Sequence, residues 1–239
     1  MNCQNNSTSF LINEIKGTFP NIPHFAGSAE GDDVLFPLTT SWSDDDSKVI
    51  LVAGGNASGK SALTSFIQAI AKQAACQTRS CSMRNRTASG FQSKMIFGDE
   101  SRSSTGACTV GAVKMGLESS INSPAPAVMI LDEPDLGLSE ECSMAMGAYI
   151  AQCANAEASN LRLIVVVSHS RALFRDLMAN LSQPAHKVFV GDANRSFDAW
   201  LDGPIISPGV DYLLNLQKLG HDKFKAYLAL NTNESQGHS

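Results

Sequence analysis

The sequence predicts an α/β fold, a mainly parallel sheet flanked by helices, with an antiparallel β edge supplied by the N-terminal region. Two observations predict it. Four short, strongly apolar segments, residues 48–53, 128–131, 163–167 and 187–190, have the length and β-branched content of strands buried on both faces. Between them lie segments with helical spacing, such as Leu63, Phe66, Ile67 and Ile70, or Val110, Val113 and Leu117. Strands that alternate with helices build a parallel sheet.

Taken in order, residues 1–45 are rich in Gly, Pro, Ser and Asp and hold only the apolar pieces 10–12 and 34–38, so they are expected to form the antiparallel edge or a cover. With 239 residues the chain has room for a single α/β domain, read as 1–230, before a polar tail, 231–239, that is expected to fray. Within residues 210–228, Leu213, Leu214, Leu216 and Leu219, followed by Phe224 and Tyr227, predict a packed amphipathic helix pair. No apolar run approaches the ~20 residues of a membrane span, and residues 1–7 lack a basic start with an apolar stretch behind it. A cytoplasmic location is expected.

Composition narrows the class further. A hydrophobic share of 43% against 17% charged residues is that of a globular chain and argues against a disordered or fibrous one. The six cysteines, Cys3, Cys76, Cys81, Cys108, Cys142 and Cys153, have no framework spacing and are expected to be reduced packing residues. A net charge of -5 argues against coating nucleic acid by bulk electrostatics. The one basic concentration, Arg79, Arg84, Arg86, Lys94 and Arg102, reads either as a solvated loop or as a phosphate-binding face.

Chemistry concentrates at the ends of three predicted strands. Gly54-Gly55-Asn56-Ala57-Ser58-Gly59-Lys60-Ser61 fits the P-loop pattern between an apolar strand and an amphipathic helix, and with Ala62 these are the candidate nucleotide-binding residues. Glycines let the backbone turn its N–H groups toward phosphate oxygens, Lys60 reaches the β- and γ-phosphates, and the Ser61 hydroxyl suits magnesium. Residues 128–131 deliver Asp132 and Glu133, side chains that alternation sends to different places. Asp132 is expected to hold the magnesium shell, and Glu133 to orient and polarise an attacking water. Residues 163–167 end in Ser168-His169-Ser170, which places His169 toward the γ-phosphate.

These motifs resemble those of ATP-binding-cassette (ABC) ATPases, in the family's order. The P-loop form matches residues 54–61, the Leu-Asp-Glu-Pro element matches Leu131-Asp132-Glu133-Pro134, and the switch histidine matches His169. The resemblance implies a P-loop NTPase fold, ATP and Mg2+ as ligands, and ATP hydrolysis with Lys60, Glu133 and His169 in catalytic roles. It also implies a signature segment, for which Ser103-Ser104-Thr105-Gly106-Ala107 is the candidate. There Ser104 and Gly106 would touch the γ-phosphate held by a second copy, and a Ser/Thr-rich helix cap is the alternative. Ala107 departs from the family pattern, as does Ser139 where an aspartate is usual. Gln92 is a candidate magnesium-sensing glutamine, and Phe36 or Trp42 is expected to stack on adenine.

The short interval between Gln92 and the candidate signature leaves no room for the helical subdomain of transporter cassettes, and long heptad arms are lacking. The closest likeness is to small stand-alone AAA/ABC ATPases related to DNA-repair and mobile-element enzymes. An ATP-dependent homodimer that drives a protein or nucleic-acid partner is one expectation. The other is a nucleotide-gated binding module with slow or no turnover.

Overall fold

A computed structural model of the chain describes residues 7–22, 25, 35–44, 46–82, 103–157 and 159–234. Gln92, Arg84, Arg86, Lys94, Arg102, Cys3 and residues 235–239 lie outside the described residues. Among the described residues six strands form one sheet: β1 (Leu38–Ser41), β2 (Val49–Gly54), β3 (Gln77–Cys81), β4 (Ala127–Asp132), β5 (Leu161–Val167) and β6 (His186–Val190). Their spatial order is β1-β6-β2-β5-β4-β3. All neighbours run parallel except β1, which pairs antiparallel with β6, Leu38 opposite Val190. The expected antiparallel edge is therefore present, and the four predicted strands fall on β2, β4, β5 and β6.

Alternation along the central strands sorts their side chains into two cores. Leu51, Met129, Leu131, Ile164 and Val166 face one side, where they meet α3 (Thr105–Ile121), α4 (Glu140–Ala154), α5 (Arg171–Asn180) and α6 (Phe197–Asp202). Ile50, Val52, Val128, Ile130, Val165 and Val167 face the other, under α1 (Thr8–Thr18) and α2 (Lys60–Gln73). Residues such as Leu51, Val165 and Val167 have no exposed surface at all. At about 1.5–3 kcal/mol for each fully buried aliphatic side chain, the two cores hold the strand ends in place.

Helix starts are set by serines. Ser7, Ser104, Ser139, Ser170 and Ser196 each accept a hydrogen bond from the backbone N–H three residues on, capping α1, α3, α4, α5 and α6. Helix α2 differs: it opens at Gly59, in left-handed geometry, with no side-chain cap bond.

Two expectations change. Residues 210–228 do not form a packed helix pair but part of one helix, α7 (Val210–Glu234), with Leu213 63% and Leu214 76% exposed. The lone Gly220 costs helix propensity without breaking the helix, and the leucine face meets no core among the described residues. The helix also runs through the start of the segment read as a fraying tail. Of the cysteines, Cys76, Cys81, Cys108 and Cys153 are buried as expected, whereas Cys142 is exposed on α4. Among the described residues no helix is long and apolar enough to cross a membrane.

Candidate functional site

The carboxyl ends of β2, β4 and β5 open into a cleft of about 490 Å³. Its sheet side is formed by Asn56, Ala57, Ser58, Gly59, Lys60, Ser61 and Ala62, together with Asp132, Glu133 and His169. Because β5 lies between β2 and β4, the loop bearing His169 sits between the glycine-rich loop and the two carboxylates. Ligands of open α/β sheets occupy this kind of crevice.

The loop after β2 needs its glycines at specific points. Gly54 has φ +156°, and a Cβ there would collide with the Val190 carbonyl oxygen and come within 2.8 Å of Ser58 Oγ. Gly59 has φ +105° and lies against the ring of Phe36. The result is a tight turn that delivers the free N–H groups of the first turn of α2 to the cleft. Ser58 Oγ is buried there with no hydrogen-bond partner among the described residues. An anion's oxygens suit both features.

Lys60 is folded back across the loop. Its ammonium donates to the carbonyls of Gly54 (3.1 Å) and Gly55 (2.7 Å) and meets His169 Nε2 at 3.1 Å. Burial lowers its pKa to about 8, against the opposing pull of Asp132 and Glu133. His169 is lowered to about 4 by burial and by the Lys60 charge, so it is neutral near pH 7. A neutral Nε2 that faces an ammonium accepts, which puts the ring proton on Nδ1. The 3.7 Å separation from His169 Nε2 to Glu133 Oε1 is then neither an ion pair nor a hydrogen bond.

Asp132 ends β4, and strict alternation would send Glu133 to the opposite face of the sheet. Glu133 has instead left extended geometry, with φ +56°, and its N–H is held by the Val167 carbonyl at 2.8 Å. Both carboxylates consequently line one cleft, which departs from the separation expected from sequence. Burial raises the Glu133 pKa, the neighbouring Asp132 and then Asp135 add to the rise, and Lys60 opposes it. A carboxylate of raised basicity beside a neutral imidazole can orient a water and accept its proton. Ser61 and Asp132 offer hard oxygens to the same space, a donor set that fits Mg2+ sharing its shell with phosphates and water. Among the described residues no cluster of three or more His, Cys, Asp or Glu forms an all-protein cage.

The other predicted residues distribute unevenly. Gly54 and Gly55 border an adjoining cavity of about 560 Å³ instead of this cleft, with His169 lining both. Ser104 and Gly106 do not line the cleft in their own chain. Ser104 caps α3, accepting from the Ala107 N–H at 3.2 Å, as the cap reading expects, while Gly106 is buried within α3 against the Gly137 carbonyl. Ser139 likewise caps α4. Phe36 lines the cleft, while Trp42 packs between Phe19 and His186 away from it.

Two features went unread in the sequence. Ser168, fully buried, donates to Asp135 Oδ1 at 2.7 Å and accepts from the Ser170 N–H at 2.8 Å, which ties the segment after β4 to the turn that carries His169. The adjacency of Ser168 to His169 was the available signal. The cleft's outer side is made by Gly220, Lys223, Phe224 and Tyr227 of α7, for which no local pattern exists. Compared with models of known protein families the chain matches none, and compared with curated proteins it matches none either.

Proposed function

We propose that this chain is an ABC-class P-loop ATPase that binds ATP with Mg2+ in the cleft and hydrolyses it. The observation that carries the reading is the convergence of Lys60, Glu133 and His169, each from a different strand end, with the Lys60 ammonium 3.1 Å from His169 Nε2 and Glu133 3.7 Å beyond it. The uncapped start of α2 would hold the β-phosphate through backbone N–H groups, with Lys60 released from the Gly54 and Gly55 carbonyls to the β- and γ-phosphates. Ser61 and Asp132 would share the magnesium shell. Glu133 would position the attacking water and take its proton, and His169, neutral, would orient on the γ-phosphate side.

By the same resemblance, ATP would draw two copies into a head-to-tail dimer, Ser104 of one facing the phosphates of the other while Gly106, buried beside it, shapes the turn, and hydrolysis would act on a protein or DNA partner. The exposed position of Ser104 at the start of α3 leaves its hydroxyl within reach of a second molecule.

The test is steady-state ATP hydrolysis by the wild type, Lys60→Ala and Glu133→Gln, with and without DNA, alongside the mass of each species in solution. Expected are magnesium-dependent turnover by the wild type, loss of about a hundredfold or more in both variants, and a dimer of Glu133→Gln with ATP. ATP binding without turnover by the wild type favours the nucleotide-gated binding module instead. Failure to bind ATP removes the reading.

A further inference from the structure

Helix α7 meets the glycine-rich loop at Tyr212 and Gly220, and the Phe36 ring at Lys223 and Tyr227. The Tyr212 hydroxyl lies 3.4 Å from the Asn56 carbonyl, and a Cβ at Gly220 would stand 3.6 Å from Ala57 Cβ. Lys223 Nζ lies 5.9 Å from the Phe36 ring centroid, and the Tyr227 and Phe36 rings are 6.1 Å apart. These contacts leave Lys223, Phe224 and Tyr227 as the cleft wall opposite Lys60 and Ser61.

Of the aromatic rings in or near the cleft among the described residues, Phe224 is the most open. Phe36 is only 5% exposed and is covered by Gly59, Phe25 and Tyr227. Trp42, as described above, lies elsewhere. Phe224 is 54% exposed, a large apolar face left in contact with water at the mouth of a polar cleft. A flat heteroaromatic ring is the group that such a face takes, and a cation one residue away suits a ligand that joins an aromatic ring to negative charge.

We propose that α7 is the base-binding wall of the nucleotide site, with Phe224 stacking on the nucleobase and Lys223 supplying positive charge beside the phosphate chain. The inference rests on the phosphate-binding reading above and adds to it the residues that recognise the rest of the nucleotide. It moves the stacking role from the segment before the loop, where Phe36 and Trp42 lie, to the C-terminal helix.

Calorimetric titration of the full chain with Mg-ATP and, separately, with Mg-tripolyphosphate tests it. Tripolyphosphate presents the same anionic chain without a base. Phe224→Ala is expected to weaken ATP binding about tenfold or more while tripolyphosphate binding stays at the wild-type level, and Phe224→Trp is expected to restore ATP affinity. Thermal unfolding of Phe224→Ala should match the wild type, since the ring is half exposed. Unchanged ATP affinity in Phe224→Ala overturns the inference and leaves the phosphate site standing. Equal loss of both ligands also overturns it, because α7 would then act by shaping the loop. A wild type that binds neither ligand takes down the phosphate-site reading itself, and the inference with it.

Discussion

On the sheet side of the cleft, Lys60, Asp132, Glu133 and His169 stand directly beyond strands whose residues have almost no exposure, and Lys60 alone makes three polar contacts of 3.1 Å or less. On the helix side, Lys223, Phe224 and Tyr227 stand on α7, where Leu213 and Leu214 face water and Tyr227 reaches the edge of the core. The first wall is held by strand pairing and two hydrophobic cores, the second by a few side-chain contacts. Groups that must meet a reacting phosphate within fractions of an ångström need the first kind of support. A surface that accepts a flat ring tolerates the second, and segments with few buried contacts open at low free energy.

The comparison breaks most sharply at Gly54, in the turn that supports the sheet-side wall. In Gly54→Ala the new methyl collides with the Val190 carbonyl in a backbone conformation that side chains rarely adopt. The expected cost is at least about 2 kcal/mol, read as a lower urea midpoint with an unchanged slope, together with loss of ATP binding. A variant as stable as the wild type would mean that the loop is as loosely held as α7.

A smaller effect follows from the Lys60 pKa of about 8. On the proposed reading, bound phosphate would stabilise the ammonium, so the bound-state pKa would lie above the free-state value and binding would take up a proton wherever free Lys60 is deprotonated. ATP affinity should therefore be flat below about pH 8 and fall by up to about tenfold per unit above it, until the bound-state pKa is passed. Lys60→Arg, whose charge does not titrate in this range, should abolish the slope. A slope that persists in that variant would assign the proton to another group.

The smallest effect has the opposite sign. In Gly220→Ala the added methyl meets Ala57 Cβ at an ordinary 3.6 Å, and alanine is favoured over glycine inside a helix by about 1 kcal/mol. Amide exchange across α7 should slow by roughly fivefold with little change in the global unfolding temperature. A destabilised variant would show that α7 packs on the loop more tightly than its exposure indicates.

Much of this arrangement is legible along the chain. Strands β2, β4, β5 and β6 announce themselves because a strand buried on both faces of the sheet reads as a near-continuous apolar run, as in Val49–Gly54 and residues 163–167. Strand β3 does not, because Gln77–Cys81 is an edge strand with a solvent-facing side and reads as polar. Residues 10–12 were visible only as a short apolar piece of α1, whose buried face adds just Ile15 beyond them. The P-loop pattern and the Asp132-Glu133 pair were visible because their chemistry depends on local spacing.

By itself the sequence determined which strands are central and which residues stand at their carboxyl ends, since burial and motif spacing are local properties. Only the tertiary structure decided that β5 lies between β2 and β4, that Glu133 turns back at φ +56° to share a cleft with Asp132, and that the last helix closes the far side. The reason is physical. Strand order, a left-handed turn and a helix docked on a loop 156 residues earlier in the chain are set by contacts between distant segments, and such contacts leave no periodicity in either segment alone.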